Sequence, residues 1–473
     1  MNTENKNTFK ILSQKPIRVG EIDFPPRKVW IKTFGCQMNY HDTERILSHL
    51  EGLNFLPTEV KEEADLILFN TCAVRDLANT KFYSHLGEIK ALKKERAQQL
   101  IVGVGGCVAQ TESKELIKKY QHLDFVFGTD TIDQINDILY RIYAGESKLN
   151  VIDWDQSMDY SIETKITHGS PQAFVNIMKG CNNFCTYCIV PYTRGREKSR
   201  RLNEVVQDIK RLVDEKGIQE VTLLGQNVNS FGKEHNESLA QLVAELEKID
   251  GLYRLRYTTS HPYDLSDELI EAHKTSKKLT NHLHLPIQSG SDTVLARMNR
   301  RYTREHFLGL CRKIREANPE IVLSSDIIVG FPGETDEEHQ ATIELLKEAR
   351  FDFIYSYKYS ARKGTKAANM PGMLDQDLKS KRLYEVQDLQ LKIQEEMRRP
   401  LVGKVFRILV ENMGEMKGTI RWTGRSSCNR LVHFEGEPQK DYKWHWVDVE
   451  VTSSTALSCI GKLITDHGKI PPH

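Results

Sequence analysis

Net charge is nearly missing from this 473-residue chain: 66 lysines and arginines stand against 65 aspartates and glutamates. That balance excludes a global field drawing in nucleic acid, so any such contact must come from local basic patches. Long apolar runs are missing too. None approaches the roughly 18–20 residues of a membrane span, and the opening MNTENKNTFK lacks the apolar segment of a secretory signal. A cytoplasmic protein with no membrane partner is expected. Cysteine is sparse and odd in number, nine in all, which fits poorly with a disulfide framework. In a reducing compartment such residues read as metal ligands, catalytic thiols or core residues.

What is present is organised. The length predicts two to four domains of roughly 100–200 residues. Residues 1–26 read as a disordered tail. From 27 to 145, short apolar runs such as KVWIKTFG, ADLILFNT and LIVGVGG alternate with helical stretches, the pattern of a parallel α/β domain. Residues 146–170 are polar and read as a linker. Over 171–376 six further β/α units follow, too few for a closed eightfold barrel and suited to a partial (β/α)6 one. Residues 377–399 read as a charged helix with Leu383, Val386, Ile393 and Met397 along one stripe. Residues 400–465 carry short alternating strands and turn signals, the pattern of a small β-barrel.

Two cysteine sets stand out. In GCNNFCTYCIVP, Cys181, Cys185 and Cys188 are spaced C-x3-C-x2-C with no fourth cysteine nearby. A structural zinc site wants four closed ligands. Three thiolates on a four-iron cube leave one iron open for chemistry. Cys36, Cys72 and Cys107 each follow a strand of the first domain. In a parallel sheet the carboxyl ends share one edge, where open α/β folds bind ligands, so these three could converge on a second site. The bland alternatives are a zinc or redox loop for the first set and three core cysteines for the second. Cys311, Cys428 and Cys459 read as bystanders.

The motifs TFGCQMNYHDTE, NTCAVR, GCVAQ, GCNNFCTYCIVPYTRG, LGQNVNSF, HLPIQSGSD and DIIVGFPGETDEE together resemble the methylthiotransferases of the radical S-adenosylmethionine superfamily, over roughly residues 28 to 465. The resemblance implies a radical barrel, a C-terminal TRAM RNA-binding barrel and two [4Fe–4S] clusters. One is held by Cys36, Cys72 and Cys107 and carries a sulfur that one S-adenosylmethionine methylates. The other, on Cys181, Cys185 and Cys188, cleaves a second S-adenosylmethionine to a 5′-deoxyadenosyl radical that abstracts hydrogen from an adenine carbon 2. The nearest branch acts on prenylated adenosine at position 37, in the anticodon stem-loop of tRNA; sister branches act on threonylcarbamoyladenosine or on a ribosomal-protein aspartate. An electron donor and a sulfur donor are implied as partners. A reading of another class is a non-catalytic RNA-binding iron–sulfur sensor.

For S-adenosylmethionine the candidates are Tyr187 inside the cysteine motif, Gln226, Gln288, Ser289 and Asp326 at strand ends, and Gly330, where backbone can approach closely. Asp326 and Glu334 depart from the superfamily's usual glycine-then-glutamate pattern on this strand. For RNA the candidates are Arg194, Arg196 and Arg200 in RGREKSRR, Arg301 in ARMNRRYTRE, and Arg421, Trp422, Arg425 and Arg430 on the C-terminal barrel. Solvated charged faces and a tryptophan-filled barrel core are the alternatives there.

Overall fold

The computed structural model describes residues 17–19, 22–74, 76–96, 99–154, 164, 169–416, 419–437 and 439–470. It divides into two compact units, one of residues 1–158, 164–167 and 189–195, the other of residues 159–163, 168–188 and 196–473.

In the first unit, β1 (Ile17–Val19) and β2 (Ile22–Phe24) form an antiparallel ribbon. The tail expected over 1–26 is corrected there, and residues 1–16 lie outside the described residues. Six parallel strands follow: β3 (Arg27–Thr33), β4 (Phe55–Pro57), β5 (Leu66–Thr71), β6 (Ile101–Gly106), β7 (Phe125–Phe127) and β8 (Leu149–Val151), in the order β4-β3-β5-β6-β7-β8. The central β5 and β6 are buried at every residue, as strands covered on both faces must be. Leu66 and Leu68 join one core with Leu50, Phe125 and Ile138. Ile67 and Phe69 join the other with Phe82, Val104 and Leu116. The linker expected from residue 146 is corrected by β8, which pairs with β7; residues 155–163 and 165–168 lie outside the described residues.

In the second unit, β9 (Gln172–Asn176), β12 (Glu220–Leu224) and β13 (Arg254–Tyr257) form one parallel triplet. Strands β14 (His282–His284), β15 (Val322–Val329) and β16 (Phe353–Lys358) form another. The triplets meet where Leu255 N donates to Lys278 O at 2.8 Å and Thr280 N to Leu255 O at 3.0 Å. The six strands make the partial barrel. The short β10 (Met178–Lys179) and β11 (Lys198–Ser199) pair antiparallel and frame the three-cysteine loop.

The helix Gln376–Arg398 starts at an Asp375 cap. Val386 and Ile393 of the expected stripe are buried, but so are Lys379, Arg382, Gln390, Gln394 and Arg398. That buried face is largely polar, because it carries bonds to the barrel: Gln390 Nε2 donates to Phe351 O at 2.8 Å and Arg382 pairs with Glu334 at 2.7 Å.

The C-terminal segment is a closed five-stranded barrel of β17 (Val405–Met416), β18 (Thr419–Ser426), β19 (Leu431–Phe434), β20 (Trp446–Ser454) and β21 (Cys459–Asp466), in the order β17-β18-β19-β21-β20. Strand β21, absent from the sequence reading, closes it by pairing parallel with β19 and antiparallel with β20. The barrel sits against the amino ends of β12 and β13. Arg254 donates to Arg407 O at 2.8 Å and Arg425 O at 2.9 Å, while Arg256 donates to Ser426 O at 2.8 Å. Cys311, Cys428 and Cys459 are all buried.

Candidate active site

The cysteines of the first unit come from three neighbouring strands. Cys36 follows β3 and caps the helix Gln37–Glu51; Cys72 follows β5; Cys107 follows β6 and opens the helix Cys107–Lys119. Thr71 pairs with Gly106 and Thr33 with Asn70, so all three thiols stand on one sheet edge. Gly35, at φ +121°, makes this convergence possible. A Cβ there would lie 2.5 Å from Cys72 Cβ and 2.9 Å from Cys72 Sγ. Asn39 and Asn70 lock the turn: Asn39 Nδ2 donates to Thr71 O at 2.7 Å, and Asn70 Nδ2 to Asn39 O at 2.7 Å. Cys36 and Cys107 sit at helix amino ends.

Beside them lies Arg194, 6% exposed, in an ion pair with the buried Asp42 at 2.7 Å. Burial works against its charge, but Asp42, Cys107 and Cys36 outweigh that and hold the guanidinium well above its ordinary range. Arg194 thus serves the thiol site of its own unit. Its assignment to RNA is corrected.

In the second unit, residues 180–188 form a loop anchored at many points. Gly180 N donates to Gln226 Oε1 at 2.6 Å, and Cys188 N to Cys185 O at 3.0 Å. Thr186 N donates to Met298 O at 3.0 Å, and Asn299 Nδ2 to Asn183 O at 3.1 Å and Phe184 O at 3.0 Å. Burial pushes the Cys181 thiol up to about 11, against hydrogen bonds from Asn183. Arg300 Nη1 donates to Cys185 Sγ at 3.3 Å. Arg300 lies in the basic run ARMNRRYTRE, where no periodicity or spacing marks it as a cysteine partner.

The S-adenosylmethionine candidates separate. Tyr187 packs against Val294, Met298, Phe331 and Tyr359, and burial holds its phenol well above the ordinary range. Gln226 is engaged by the cysteine loop. Gln288 adopts φ +80°, an unusual backbone for a side-chain-bearing residue and a mark of functional sites. Ser289 is fully buried against Thr342, 3.4 Å away. Asp326 lies inside β15, three residues short of its end, with a partly exposed carboxylate 3.6 Å from His284 Nε2. Gly330, at φ +71°, is closely approached by the protein itself: a Cβ there would meet Lys379 Cγ at 2.4 Å. Its N–H donates to Glu334 Oε2 at 2.7 Å, and Arg382 holds that carboxylate at 2.7 Å. The expected ligand approach at Gly330 is corrected to a brace.

Among the RNA candidates, Arg200 is 3% exposed and donates to Asp208 at 2.9 Å and Asn176 O at 3.2 Å. Arg430 binds Asp352, itself wholly buried, at 3.0 Å. Trp422 is 8% exposed in the barrel core, edge-on to Tyr442. These three are corrected to structural roles, because each satisfies a buried partner. Arg196 and Arg301 are exposed, with guanidiniums over Phe184 at 4.3 Å and Tyr263 at 5.6 Å. Arg421 lies 3.2 Å from Glu435, and Arg425 lies 3.6 Å from Glu411.

The thiols fit iron–sulfur clusters. A structural zinc site wants four closed ligands, whereas each set here is of three cysteines, and soft thiolates suit iron–sulfur clusters. Thiolates bound to different irons of a cube need no common point. A buried thiol such as Cys181 also becomes a thiolate only beside a strong positive charge, which a metal supplies.

An open parallel barrel with a three-thiol loop is the architecture of the radical S-adenosylmethionine enzymes, and the Radical SAM superfamily matches residues 175–346. Uncharacterized protein family UPF0004 matches residues 28–128. In fold, the chain is similar to the radical S-adenosylmethionine methyltransferase TsrM from Kitasatospora setae, at 15% identity and TM-score 0.55 over 72% of this chain and 77% of that one. Two curated relatives, from Carboxydothermus hydrogenoformans and Geobacillus kaustophilus, are named tRNA-2-methylthio-N(6)-dimethylallyladenosine synthase. The first is 44% identical over 93% of this chain and 99% of its own length, the second 43% over 94% and 85%. The chain belongs to the tRNA-2-methylthio-N(6)-dimethylallyladenosine synthase family of radical S-adenosylmethionine methylthiotransferases. It is a transferase that works with S-adenosylmethionine and [4Fe–4S] clusters. No described helix is long and apolar enough to cross a membrane.

Proposed function

We infer that the chain inserts a methylthio group at carbon 2 of N(6)-dimethylallyladenosine, at position 37 in the anticodon stem-loop of tRNA, in the cytoplasm. The observation that carries this is the pair of three-cysteine sets, one gathered on a sheet edge and one on an anchored loop, in a chain whose relatives bear that substrate in their names. When bound, a cluster on Cys181, Cys185 and Cys188 supplies the electron that cleaves S-adenosylmethionine, and one on Cys36, Cys72 and Cys107 supplies the sulfur. The chain's own part is positioning. Gly35 and the Asn39–Asn70 turn hold the first thiol set on one sheet edge. Asn299, Thr186 and Gln226 hold the second loop rigid. Tyr187 and its apolar neighbours keep water from that loop, which shields a reactive intermediate.

The inner face of the partial barrel supplies recognition. Tyr355 lies edge-on to His284 at 5.7 Å and pairs in register with Asp326, and it and Tyr357 are about half exposed; aromatic faces stack an extruded base. Asp326 and Gln288 are the candidates kept for S-adenosylmethionine. Arg196 and Arg301, each over an aromatic ring, suit an RNA backbone. The electron and sulfur donors are separate partners.

The test is anaerobic reconstitution with dithionite and S-adenosylmethionine. About eight irons per chain are expected from two [4Fe–4S] cubes. Cys185→Ala abolishes 5′-deoxyadenosine formation, whereas Cys72→Ala leaves it intact and stops methylthio transfer to prenylated tRNA. A chain that binds RNA and its clusters but forms no 5′-deoxyadenosine would instead be a sensor. Methylthio product from the Cys72 variant would overturn the division of labour.

A further inference from the structure

Each thiol set has a buried arginine beside it, but the two are compensated differently. Arg194 is neutralised by Asp42. Arg300 is 7% exposed and has three partners: Tyr302 Oη accepts from Nε at 2.6 Å, Pro286 O accepts from Nη2 at 2.6 Å, and Cys185 Sγ accepts from Nη1 at 3.3 Å. None of them is a carboxylate, and among the described residues no Asp or Glu pairs with it.

The placement is held from both sides. Arg300 N donates to Leu295 O at 2.8 Å, and Tyr302 Oη lies 3.2 Å from both Pro286 O and Ile287 O. The preceding residue, Asn299, grips the backbone of Asn183 and Phe184. One short segment therefore fixes the cysteine loop and aims a full positive charge at one of its sulfurs. A buried charge without a counter-ion is expensive to keep. Bracing alone could be done by a neutral side chain.

We propose that Arg300 tunes the redox centre held by Cys181, Cys185 and Cys188, its hydrogen bond to the Cys185 sulfur and its uncompensated charge favouring the state with one more electron. This rests on the reading that those thiols hold a cluster. The step is a one-electron reduction: a low-potential one-electron donor is oxidised and the centre gains that electron. No bond to Arg300 forms or breaks. Hydrogen bonds to cluster sulfurs and nearby charge are among the levers that set such potentials. Arg300 acts through Cys185 and is a positioning residue.

The experiment uses the full chain with Cys36, Cys72 and Cys107 changed to Ala, so that only the second centre is loaded, titrated with dithionite and followed by electron paramagnetic resonance. Arg300→Met lowers the reduced-to-oxidised ratio at the parent's midpoint at least tenfold, about 59 mV for one electron. Arg300→Lys, which keeps the charge, lowers it less. An unchanged midpoint in Arg300→Met with four irons retained overturns the proposal. Should Arg300→Met not hold its irons, the parent labelled with 15N-guanidino arginine decides. A nitrogen hyperfine coupling to the reduced centre that disappears in Arg300→Lys supports the hydrogen bond, and no coupling in the parent overturns it. Absence of iron from the parent itself defeats the cluster reading, a separate outcome from a loaded centre indifferent to Arg300.

Discussion

Glu220 holds the C-terminal barrel in place through two arginines, and removing it should loosen that barrel. The carboxylate is 4% exposed and accepts from Arg254 Nη1 at 3.3 Å and Arg256 Nε at 3.0 Å. Those arginines then donate to carbonyls of Arg407, Arg425, Ser426 and Ser427. Burial opposes the Glu220 charge, but the two guanidiniums hold its carboxyl below the ordinary range. Glu220→Ala leaves two buried cations without a counter-ion. Breaking one buried pair costs about 3–5 kcal/mol, and with two cations stranded the upper end applies. At 1.4 kcal/mol per tenfold, that is a rise of about four thousandfold in the open fraction. The readout is hydrogen exchange at the Asn281 amide, which donates to Ser427 Oγ across this junction at 3.2 Å. Replacing Glu220, Arg254 and Arg256 together by Met should restore most of the protection, since no unpaired charge remains. Because the Glu220 carboxyl is depressed, its contribution is present above the ordinary carboxylate range and is lost as pH falls through the depressed value. Partly buried Glu411, whose carboxyl desolvation pushes up, contributes with the opposite sign. Asn281 exchange within threefold of wild type in Glu220→Ala would refute the reasoning.

His273, bonded to the Tyr257 hydroxyl at 2.7 Å, is pushed down to about 4 by burial. Its stabilising effect is therefore complete above about pH 6.5 and declines as pH falls from 6.5 toward 4; His273→Gln should flatten that limb of a stability-against-pH curve. Trp422→Ala should destabilise the C-terminal barrel by about 3–5 kcal/mol, read by chemical denaturation. Arg196→Ala and Arg301→Ala should leave stability unchanged, weaken tRNA binding and each reduce the salt slope of binding by about 1.

The two cysteine sets were legible because the information is local. C-x3-C-x2-C lies within one loop, and the strand–helix rhythm placed Cys36, Cys72 and Cys107 each after a strand, where parallel order alone puts them on one edge. Hydrophobic periodicity likewise reached the parallel domain and the partial barrel. It missed β21, whose exposed and buried residues alternate poorly, and β8, only three residues long. The arginines were not legible. Arg196 and Arg200 stand four positions apart in one basic run, yet one lies on the surface over Phe184 and the other is sealed against Asp208. Arg430 and Arg300 were decided in the same way, by Asp352 and by Cys185. The sequence alone settles which residues can carry charge or bind metal, because side-chain chemistry and chain order are written in it. Only the tertiary structure decides which of those charges are paired and buried, because a partner distant in the chain leaves no trace in the local pattern.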